Sequence, residues 1–372
     1  MQNCNNSVAS LNKRNKILNG LFILALTCFY NVSYARVTDV LGPSSSIQTA
    51  IDEASVGDTI IVAPGTYNEN VDFHDKAVTL QSLGGPEKTT IAGTGGTTVS
   101  IGGLAKIEGF TISGGSAAFG AGMSVDGSGT VISKNIFQFN SEGSGGFGAA
   151  IGGNNSSPII TGNIFRNNTA DDQSLSGVVS FVNTSSPTIT NNIFYQNNAR
   201  AINFTTPDSA RPIVANNTIV SNSTGIYIDG RIGFSPEIFA NNIIFGNTVG
   251  FESPFAGGIN PAIISHNLVA NNGVSFSGIQ NLTGLDGNID GDPFFLNISN
   301  NDFHLKPNSN ALASGSPLYS PSIDFDGNIR STTTPSIGAF EFASSVPEPS
   351  IYILMAAGLG VFGFVARRKA QF

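Results

Sequence analysis

Two adjacent acids and one arginine are the best candidates for catalysis in this chain. Asp171 lies eight residues after Asn163, and Arg200 lies eight residues after Asn192, in a sequence where asparagine pairs recur at a fixed spacing. The equal offsets predict that Asp171, Asp172 and Arg200 stack on neighbouring coils about 4.8 Å apart. Two carboxylates that hold a cation beside an arginine base could serve a polysaccharide lyase. The competing interpretation is a surface ion pair worth about 0–1 kcal/mol.

A second acidic run imitates the first half of a calcium loop. Side-chain oxygens alternate at Asp286, Asn288, Asp290 and Asp292, and glycine is sixth in the run. The twelfth position is Asn297, where a calcium loop has glutamate. The run predicts weak calcium binding or, alternatively, a plain acidic turn. We expect no other cofactor.

The asparagine pairs belong to a repeat. The two members of each pair lie five residues apart: Asn135/Asn140, Asn163/Asn168, Asn192/Asn197, Asn217/Asn222, Asn242/Asn247 and Asn267/Asn272. Successive first asparagines lie 28, 29, 25, 25 and 25 residues apart. Such a period is typical of a solenoid, in which each coil buries its apolar face against its neighbours. We predict about nine coils, with the first asparagines stacked as an internal hydrogen-bonded ladder.

Alignment on the first asparagine separates core positions from outward positions. The columns three residues before it and two residues after it are apolar throughout, so we assign both to the core. The residue immediately before it is mostly glycine, asparagine or histidine, which tolerate a left-handed bend. Strand alternation turns the residues one and three after it outward. Those twelve positions hold no carboxylate and one cation, Arg166, so this face lacks paired acids for catalysis.

The outward positions also form an apolar band. Its members are Ile136, Ile164, Ile193, Tyr195, Ile243, Phe245 and Leu268. Contiguous apolar surface often marks a binding site, and we predict that Ile193, Tyr195, Ile243 and Phe245, with Arg166, contact polysaccharide or another surface protein. Two alternatives stay open: β-branched residues simply favour strands, or a loop covers the band.

Both ends of the chain have the composition of export signals. Residues 1–35 have a basic start, an apolar stretch and a small-residue cleavage site, as in a secretory signal peptide. Residues 346–372 begin with Pro347, Glu348 and Pro349, continue with an uncharged run, and end with three basic residues. The uncharged run is short for a transmembrane segment, although flanking basic residues can extend it.

The body between these ends is acidic and free of thiols. From Arg36 to Glu348 there are 11 basic and 25 acidic residues, a net charge of −14, and both cysteines lie in the first 35 residues. This composition excludes disulfides and thiolate chemistry from the mature body. It also argues against nucleic-acid binding.

These repeats resemble the right-handed parallel β-helix, the fold shared with pectate lyases. The stretches Gly291–Phe295, Asp302–Leu305, Asp324–Arg330 and Ile337–Phe342 resemble a C-terminal module called choice-of-anchor Q. The last 27 residues resemble the PEP-CTERM sorting signal. That resemblance implies cleavage near the Pro347–Pro349 tripeptide by an exosortase. The fold resemblance says little about chemistry.

Together these observations predict an all-β solenoid with an N-terminal helical cap. We expect a signal peptide (1–35), a cap (36–57), a parallel β-helix (58–285), a choice-of-anchor Q-like module (286–345) and a sorting signal with a transmembrane segment (346–372). The predicted role is structural, adhesive or polysaccharide-binding, in the cell envelope or extracellular matrix of a bacterium. The alternative is a polysaccharide lyase, epimerase or glycosidase, which would require Asp171, Asp172 or Asp229 to converge in one cleft.

Overall fold

The computed structural model describes residues 35–40, 42–171, 176–205, 210–229, 237–254 and 262–342. These residues form a parallel β-solenoid of about nine turns whose walls are three long sheets. The predicted signal peptide, the Pro347–Pro349 tripeptide and the predicted transmembrane run lie outside the described residues.

Each turn contributes one short strand to each wall. The first sheet consists of Val37–Val40, Thr59–Val62, Thr79–Ser82, Lys106–Glu108, Val131–Ser133, Ile159–Thr161, Thr188–Thr190, Ile213–Ala215, Ile238–Ala240 and Ile263–Ser265. The second sheet consists of Gly65–Asn68, Thr89–Ala92, Thr111–Ser113, Ile136–Gln138, Ile164–Arg166, Ile193–Tyr195, Thr218–Val220, Ile243–Phe245 and Leu268–Ala270. The third sheet consists of Val71–Asp72, Val99–Ile101, Met123–Val125, Ile151–Asn154, Gly177–Val182, Arg200–Thr205, Thr224–Ile228, Val249–Glu252 and Val274–Ser277.

Smaller elements complete the described fold. A three-stranded parallel sheet consists of Ser116–Phe119, Ser141–Phe147 and Thr169–Ala170. An antiparallel pair, Phe295–Asn297 with Asp302–Leu305, flanks the 3-10 helix Ile298–Asn300. The α-helix Ile47–Glu53 begins at Ser46, whose hydroxyl accepts a hydrogen bond from the Thr49 amide. It lies against the edge strand Val71–Asp72, where Gln48 bonds both backbone polar groups of Asp72.

The predicted asparagine ladder is confirmed, and it is doubled. In each column, the backbone N–H and the Nδ2 of one asparagine donate to the Oδ1 of the asparagine in the next coil. The second asparagines of the pairs form an equivalent ladder from Asn140 to Asn272. Every ladder asparagine follows a residue with positive φ, which we predicted only for the first asparagine of each pair. Since nearly all these amides are buried, the ladders satisfy polar groups that would otherwise be costly inside the coil.

The predicted core columns are also confirmed. The apolar residue three before each first asparagine is at most 9% exposed, and the one two after it is at most 1% exposed. Phe137, Phe165 and Phe194 stack with ring centroids 5.0 and 4.5 Å apart. Apart from the asparagine ladders, the columns that face the inside of the solenoid are therefore apolar.

Candidate functional site

The predicted apolar band lies on the outer face of the second sheet, but it is not exposed. Ile193, Tyr195 and Ile243 are 5%, 6% and 1% exposed, and Leu268 is fully buried. The prediction of an exposed band is wrong for these residues, whereas Phe245 remains partly exposed. The chain after the last coil folds back over this face. The alternative that a segment of the chain covers the band is therefore the one that the structure shows. We call this segment, residues 289–342, the C-terminal clip.

An apolar cluster joins the clip to the second sheet. The members that the clip contributes are Phe295, Phe303, Leu305, Ala311, Ile337, Ala339 and Phe340. The Tyr195 and Phe303 rings lie 5.4 Å apart, and the Phe245 and Phe295 rings lie 5.9 Å apart. The aromatic side chains that we predicted to bind a partner therefore pack against their own chain.

A buried arginine forms the polar centre of the clip. Arg330 is 3% exposed. Its Nη2 donates to the Asn191 Oδ1 at 2.8 Å and to two clip carbonyls at 2.9 Å, while its Nη1 donates to the Ser336 carbonyl and to Glu341. Burial lowers the pKa of Arg330 to about 10, although the charges of Glu341 and Asp324 oppose that shift. Arg330 thus stays charged at neutral pH and ties the clip to the solenoid.

The residues immediately before the first asparagine of each pair supply the solenoid's side of this attachment. Asn191, Asn216 and Asn241 have φ of 54°, 55° and 59°, which turns their side chains out of the coil. Their Nδ2 atoms donate to the carbonyls of Ile323, Ser336 and Ser316, respectively, at 2.8 to 3.1 Å. The sequence predicted the bend but missed this role, although three consecutive asparagines in one column were a visible signal.

Arg166 lies at the margin of the covered face. Its Nε donates to the Gln138 Oε1 at 2.8 Å and its Nη1 to the Tyr195 hydroxyl at 3.2 Å. The side chain is half-buried. A role for Arg166 in binding stays a prediction.

The predicted stack of Asp171 on Arg200 is not present. Arg200 pairs with Gly177, and Asp171 is exposed beyond the strand Thr169–Ala170. The register holds as far as the bridge between Thr169 and Asn198, but additional residues then separate Asp171 from the next strand of its own coil. At this point of the coil, two residues that lie the same number of positions after their ladder asparagines are therefore not neighbours. Asp172 lies outside the described residues.

Arg200 instead belongs to a polar cluster on the outer face of the third sheet. Its guanidinium carbon lies 3.6 Å from the centre of the Tyr227 ring, its Nε lies 3.4 Å from Glu252, and its Nη1 donates to the Asn203 Oδ1 at 3.3 Å. The Thr224 hydroxyl donates to Glu252 at 3.2 Å. We call these five residues the Arg200 cluster.

Counting residues from the first asparagine of each coil could have predicted that part of this cluster lies together. Asn203, Tyr227 and Glu252 pair with one another in successive strands. Tyr227 and Glu252 each lie ten residues after the first asparagine of their coils. Asp229, the other predicted acid, is 9% exposed just beyond the strand Thr224–Ile228.

The residues of the predicted calcium run do not form one site. They make separate structural contacts. Asn288 is fully buried and forms a seventh rung of the first ladder, where its Oδ1 accepts both donors of Asn267. Asp290 and Asp292 accept hydrogen bonds from the amides of their own turns at 2.7 Å, and Asp286 is exposed. Asn288 is therefore wrong as a ligand. Within the described ranges, no group of three histidine, cysteine or acidic side chains is placed to hold a metal ion.

One histidine of the clip lies between two carboxylates. The His304 Nδ1 lies 2.5 Å from Asp302, its Nε2 lies 2.8 Å from Asp326, and its ring packs 4.0 Å from that of Phe340. Burial by itself lowers the pKa of His304, but the hydrogen bonds and charges of Asp302 and Asp326 together raise it above its usual value. The same contact holds the pKa of Asp302 low, against the effect of its burial.

Comparison with solved structures finds distant neighbours. The crystal structure of pectate lyase Pel9A matches at a TM-score of 0.44 and 13% identity, covering 84% of this chain and 98% of that one. The PL6 family polysaccharide lyase Pedsa3628 from Pseudopedobacter saltans matches at a TM-score of 0.22 and 10% identity, covering 82% of this chain and all of that one. A mutant of the PL6 family alginate lyase AlyGC matches at 0.22 and 13%, covering 84% and 59%. At these values the matches say nothing about chemistry. No curated protein sequence matches significantly.

Family models identify both the solenoid and the end of the chain. A PEP-CTERM protein-sorting motif matches residues 345–369, which implies export and surface sorting in a bacterium and recognition by an exosortase-type enzyme. Among the described residues, no helix is both long and apolar enough to cross a membrane. The model described as "Right handed beta helix region" matches residues 87–231 and 164–303, together more than half of the sequence. The chain therefore belongs to the right-handed β-helix family.

Proposed function

We propose that this protein is a surface-displayed scaffold with a structural, adhesive or polysaccharide-binding role in the cell envelope or extracellular matrix. The observation that carries the proposal is the attachment of the C-terminal clip. The clip ends at Phe342, and the sorting motif begins at residue 345. The part of the chain nearest the sorting signal is therefore bound to the side of the solenoid.

This attachment suits a protein that is held by its C-terminal end. Arg330 joins the clip to Asn191, and Asn216 and Asn241 join it to two further coils. A load on the sorted end would act on several coils at once, because the hydrogen bonds and the apolar cluster connect the clip to the strands Ile193–Tyr195 through Leu268–Ala270. The ladders then spread the load along the solenoid.

The experiment is to follow an epitope-tagged full-length protein in its bacterium. We expect the protein on the cell surface and in the matrix, and a strain that lacks it to attach to surfaces less well. Replacement of Pro347, Glu348 and Pro349 by alanine should retain the protein inside the cell envelope. Arg330→Lys should be sorted normally but be lost from the surface under shear. Normal attachment of the deletion strain would contradict the proposal.

A carbohydrate-active enzyme is the second candidate, and one observation favours it. Arg200 and Glu252 bring a cation and a carboxylate within 3.4 Å of each other on an outer face. Incubation of the protein with acidic and neutral polysaccharides, followed by assays for new unsaturated ends and new reducing ends, tests this candidate. Activity that is lost in Glu252→Gln would favour the enzyme over the scaffold.

A further inference from the structure

A fully buried carboxylate lies at the start of the solenoid, next to the predicted end of the signal peptide. Asp58 is 0% exposed and directly precedes the strand Thr59–Val62. Its Oδ1 accepts a hydrogen bond from the backbone N–H of Arg36 at 2.7 Å, and its Oδ2 accepts one from the backbone N–H of Ser55 at 2.9 Å. The bond from Arg36 does most to hold the pKa of Asp58 below its ordinary value, against the effect of burial. Asp58 is therefore an enclosed, ionised carboxylate at neutral pH.

The groups closest to this carboxylate carry little charge to balance it. Both of its backbone donors are neutral amides. The Arg36 guanidinium lies farther away, with its Nε 3.6 Å from the Asp58 Oδ2, and its side chain is 63% exposed. A buried charge is stabilised best by an opposite charge that is also hydrogen-bonded to it. The surroundings of Asp58 are therefore suited to a cation at the position of the Arg36 backbone nitrogen.

That nitrogen belongs to the peptide bond at which the signal peptide is predicted to end. Residues 33–35 have the small-residue pattern of a cleavage site, and the sorting motif implies export. Hydrolysis of the bond between Ala35 and Arg36 breaks its C–N bond and adds one water molecule. The carbonyl carbon of Ala35 gains the hydroxyl of a carboxylic acid, and the Arg36 nitrogen becomes an amine. The amine takes the proton that the new acid releases, so an α-ammonium group forms at the nitrogen that faces Asp58.

Strand pairing holds the two partners in place. The Thr59 N–H donates to the Arg36 carbonyl at 2.8 Å, and the Thr79 N–H of the next coil donates to the Asp58 carbonyl at 2.9 Å. The edge strand Val37–Val40 begins directly after Arg36 and pairs in parallel with the strand that follows Asp58. Cleavage one residue earlier or later would move the new amino group by about 3.3 Å along the chain. The geometry therefore favours cleavage directly before Arg36.

We propose that removal of the signal peptide after Ala35 locks the first coil of the solenoid, because the new α-ammonium group of Arg36 forms a buried ion pair with Asp58. The pair replaces a neutral donor by a charged donor at the same atom, and charge-assisted hydrogen bonds are about twice as strong as neutral ones. The processed protein is therefore more stable at its N-terminal end than its precursor. This inference does not depend on the proposed scaffold function.

The test compares two proteins purified from the exporting bacterium: the unmodified protein, and a variant with the tripeptide Tyr-Gln-Ala inserted between Ala35 and Arg36. After processing, the variant keeps a three-residue tail, and Arg36 again follows an alanine, so its nitrogen is a neutral amide. Mass spectrometry should find Arg36 as the first residue of the unmodified protein. Hydrogen–deuterium exchange of Val37–Val40 should be about tenfold faster in the extended variant. Exchange of Val274–Ser277, at the other end of the solenoid, should be the same in both.

Two substitutions identify the partner of the new amino group. Asp58→Asn, introduced into both proteins, should remove the difference in exchange between them, because asparagine carries no charge for the ammonium group to pair with. Asp39→Asn is the matched control, since Asp39 is an exposed acid of the same edge strand. It should leave the tenfold difference intact.

Amine labelling at pH 7 provides a second readout that needs no substitution, so it decides if Asp58→Asn does not fold. The α-amino group of the unmodified protein should react about tenfold more slowly than that of the extended variant, because an ion pair keeps an amine protonated. The proposal would be overturned by a first residue other than Arg36, by equal exchange of Val37–Val40 in the two proteins, by a difference that persists in folded Asp58→Asn, or by equal labelling rates.

Discussion

The outer faces of the second and third sheets each have a buried arginine at their centre, but they use it differently. On the second sheet, Arg330 donates five hydrogen bonds to groups of the same chain. On the third sheet, Arg200 donates one such bond among the described residues, to Asn203, and otherwise packs over the Tyr227 ring and beside Glu252. The first arginine ties a distant segment of the chain to the solenoid, whereas the second is held by side chains of its own and neighbouring coils.

The same substitution at both arginines gives the largest expected contrast. Arg330→Lys should destabilise the protein by about 3–5 kcal/mol, since lysine keeps the charge but cannot make all five hydrogen bonds, and each buried acceptor left without a donor costs about 1–3 kcal/mol. Arg200→Lys should cost about 1 kcal/mol or less, because fewer bonds are lost. Denaturant unfolding of both variants measures the difference. Equal losses would mean that the two faces do not differ in this way.

Hydrogen–deuterium exchange localises the effect of Arg330→Lys. Faster exchange should be confined to the C-terminal clip and the strands beneath it. Unchanged protection of residues 289–342 would show that Arg330 does not hold the clip.

Loss of a ladder asparagine should destabilise the strands beneath both faces to a similar extent. Asn217 is fully buried, donates to Ile189, Ala215 and Asn242, and accepts from Asn192. Asn217→Ala should cost about 2–3 kcal/mol, because several buried groups lose their partners. Asn272→Ala, at the partly exposed end of the second ladder, is the matched control and should cost less. Exchange that rises under the clip alone would contradict a common role for the ladder.

The smallest expected effect is a pH dependence of the clip. Because Asp302 and Asp326 raise the pKa of His304 in the folded state, their contact stabilises the protein fully below the ordinary histidine pKa of about 6.5. That stabilisation is lost as the pH rises through the folded pKa. Denaturant unfolding at pH 5.5 and at pH 8.5 should show a modest loss at the higher pH.

His304→Gln provides the control for this pH dependence, because it removes the titrating group and keeps a polar side chain. The pH-dependent loss should disappear in this variant. Since the lowered pKa of Asp302 acts only at acidic pH, it does not contribute between these two values. An undiminished loss in His304→Gln would place the titrating group elsewhere.

The solenoid could be predicted well from the sequence because each repeat corresponds to one coil. The ladder, the bend and the core columns recur at the same offsets, and each has one physical cause that acts in every coil. The register failed where a coil has additional residues, as between Asp171 and Gly177. An offset counted from the ladder is reliable only while neighbouring coils have equal lengths.

The outer faces could be predicted only in part, because a distant segment decides their exposure. Alternation placed Ile193, Tyr195 and Ile243 outward correctly, yet Arg330, 139 residues after Asn191, attaches the segment that covers them. Asn288 shows the same limit, since its 21-residue distance from Asn267 differs from the repeat and concealed its place in the ladder. The identity of the clip as a choice-of-anchor Q-like module stays a prediction.

Thiol labelling tests the closed second face most directly, because the body of the protein contains no cysteine of its own. Ile243→Cys replaces a side chain that is 1% exposed beneath the clip, and Ile159→Cys replaces one that is 43% exposed on the first sheet. With peptide mapping to exclude Cys4 and Cys28, we expect Ile159→Cys to react rapidly and Ile243→Cys to react slowly. Adding Arg330→Lys should accelerate only the reaction of Ile243→Cys. Equal labelling rates of the two cysteines in the otherwise unchanged protein would contradict a clip that seals this face.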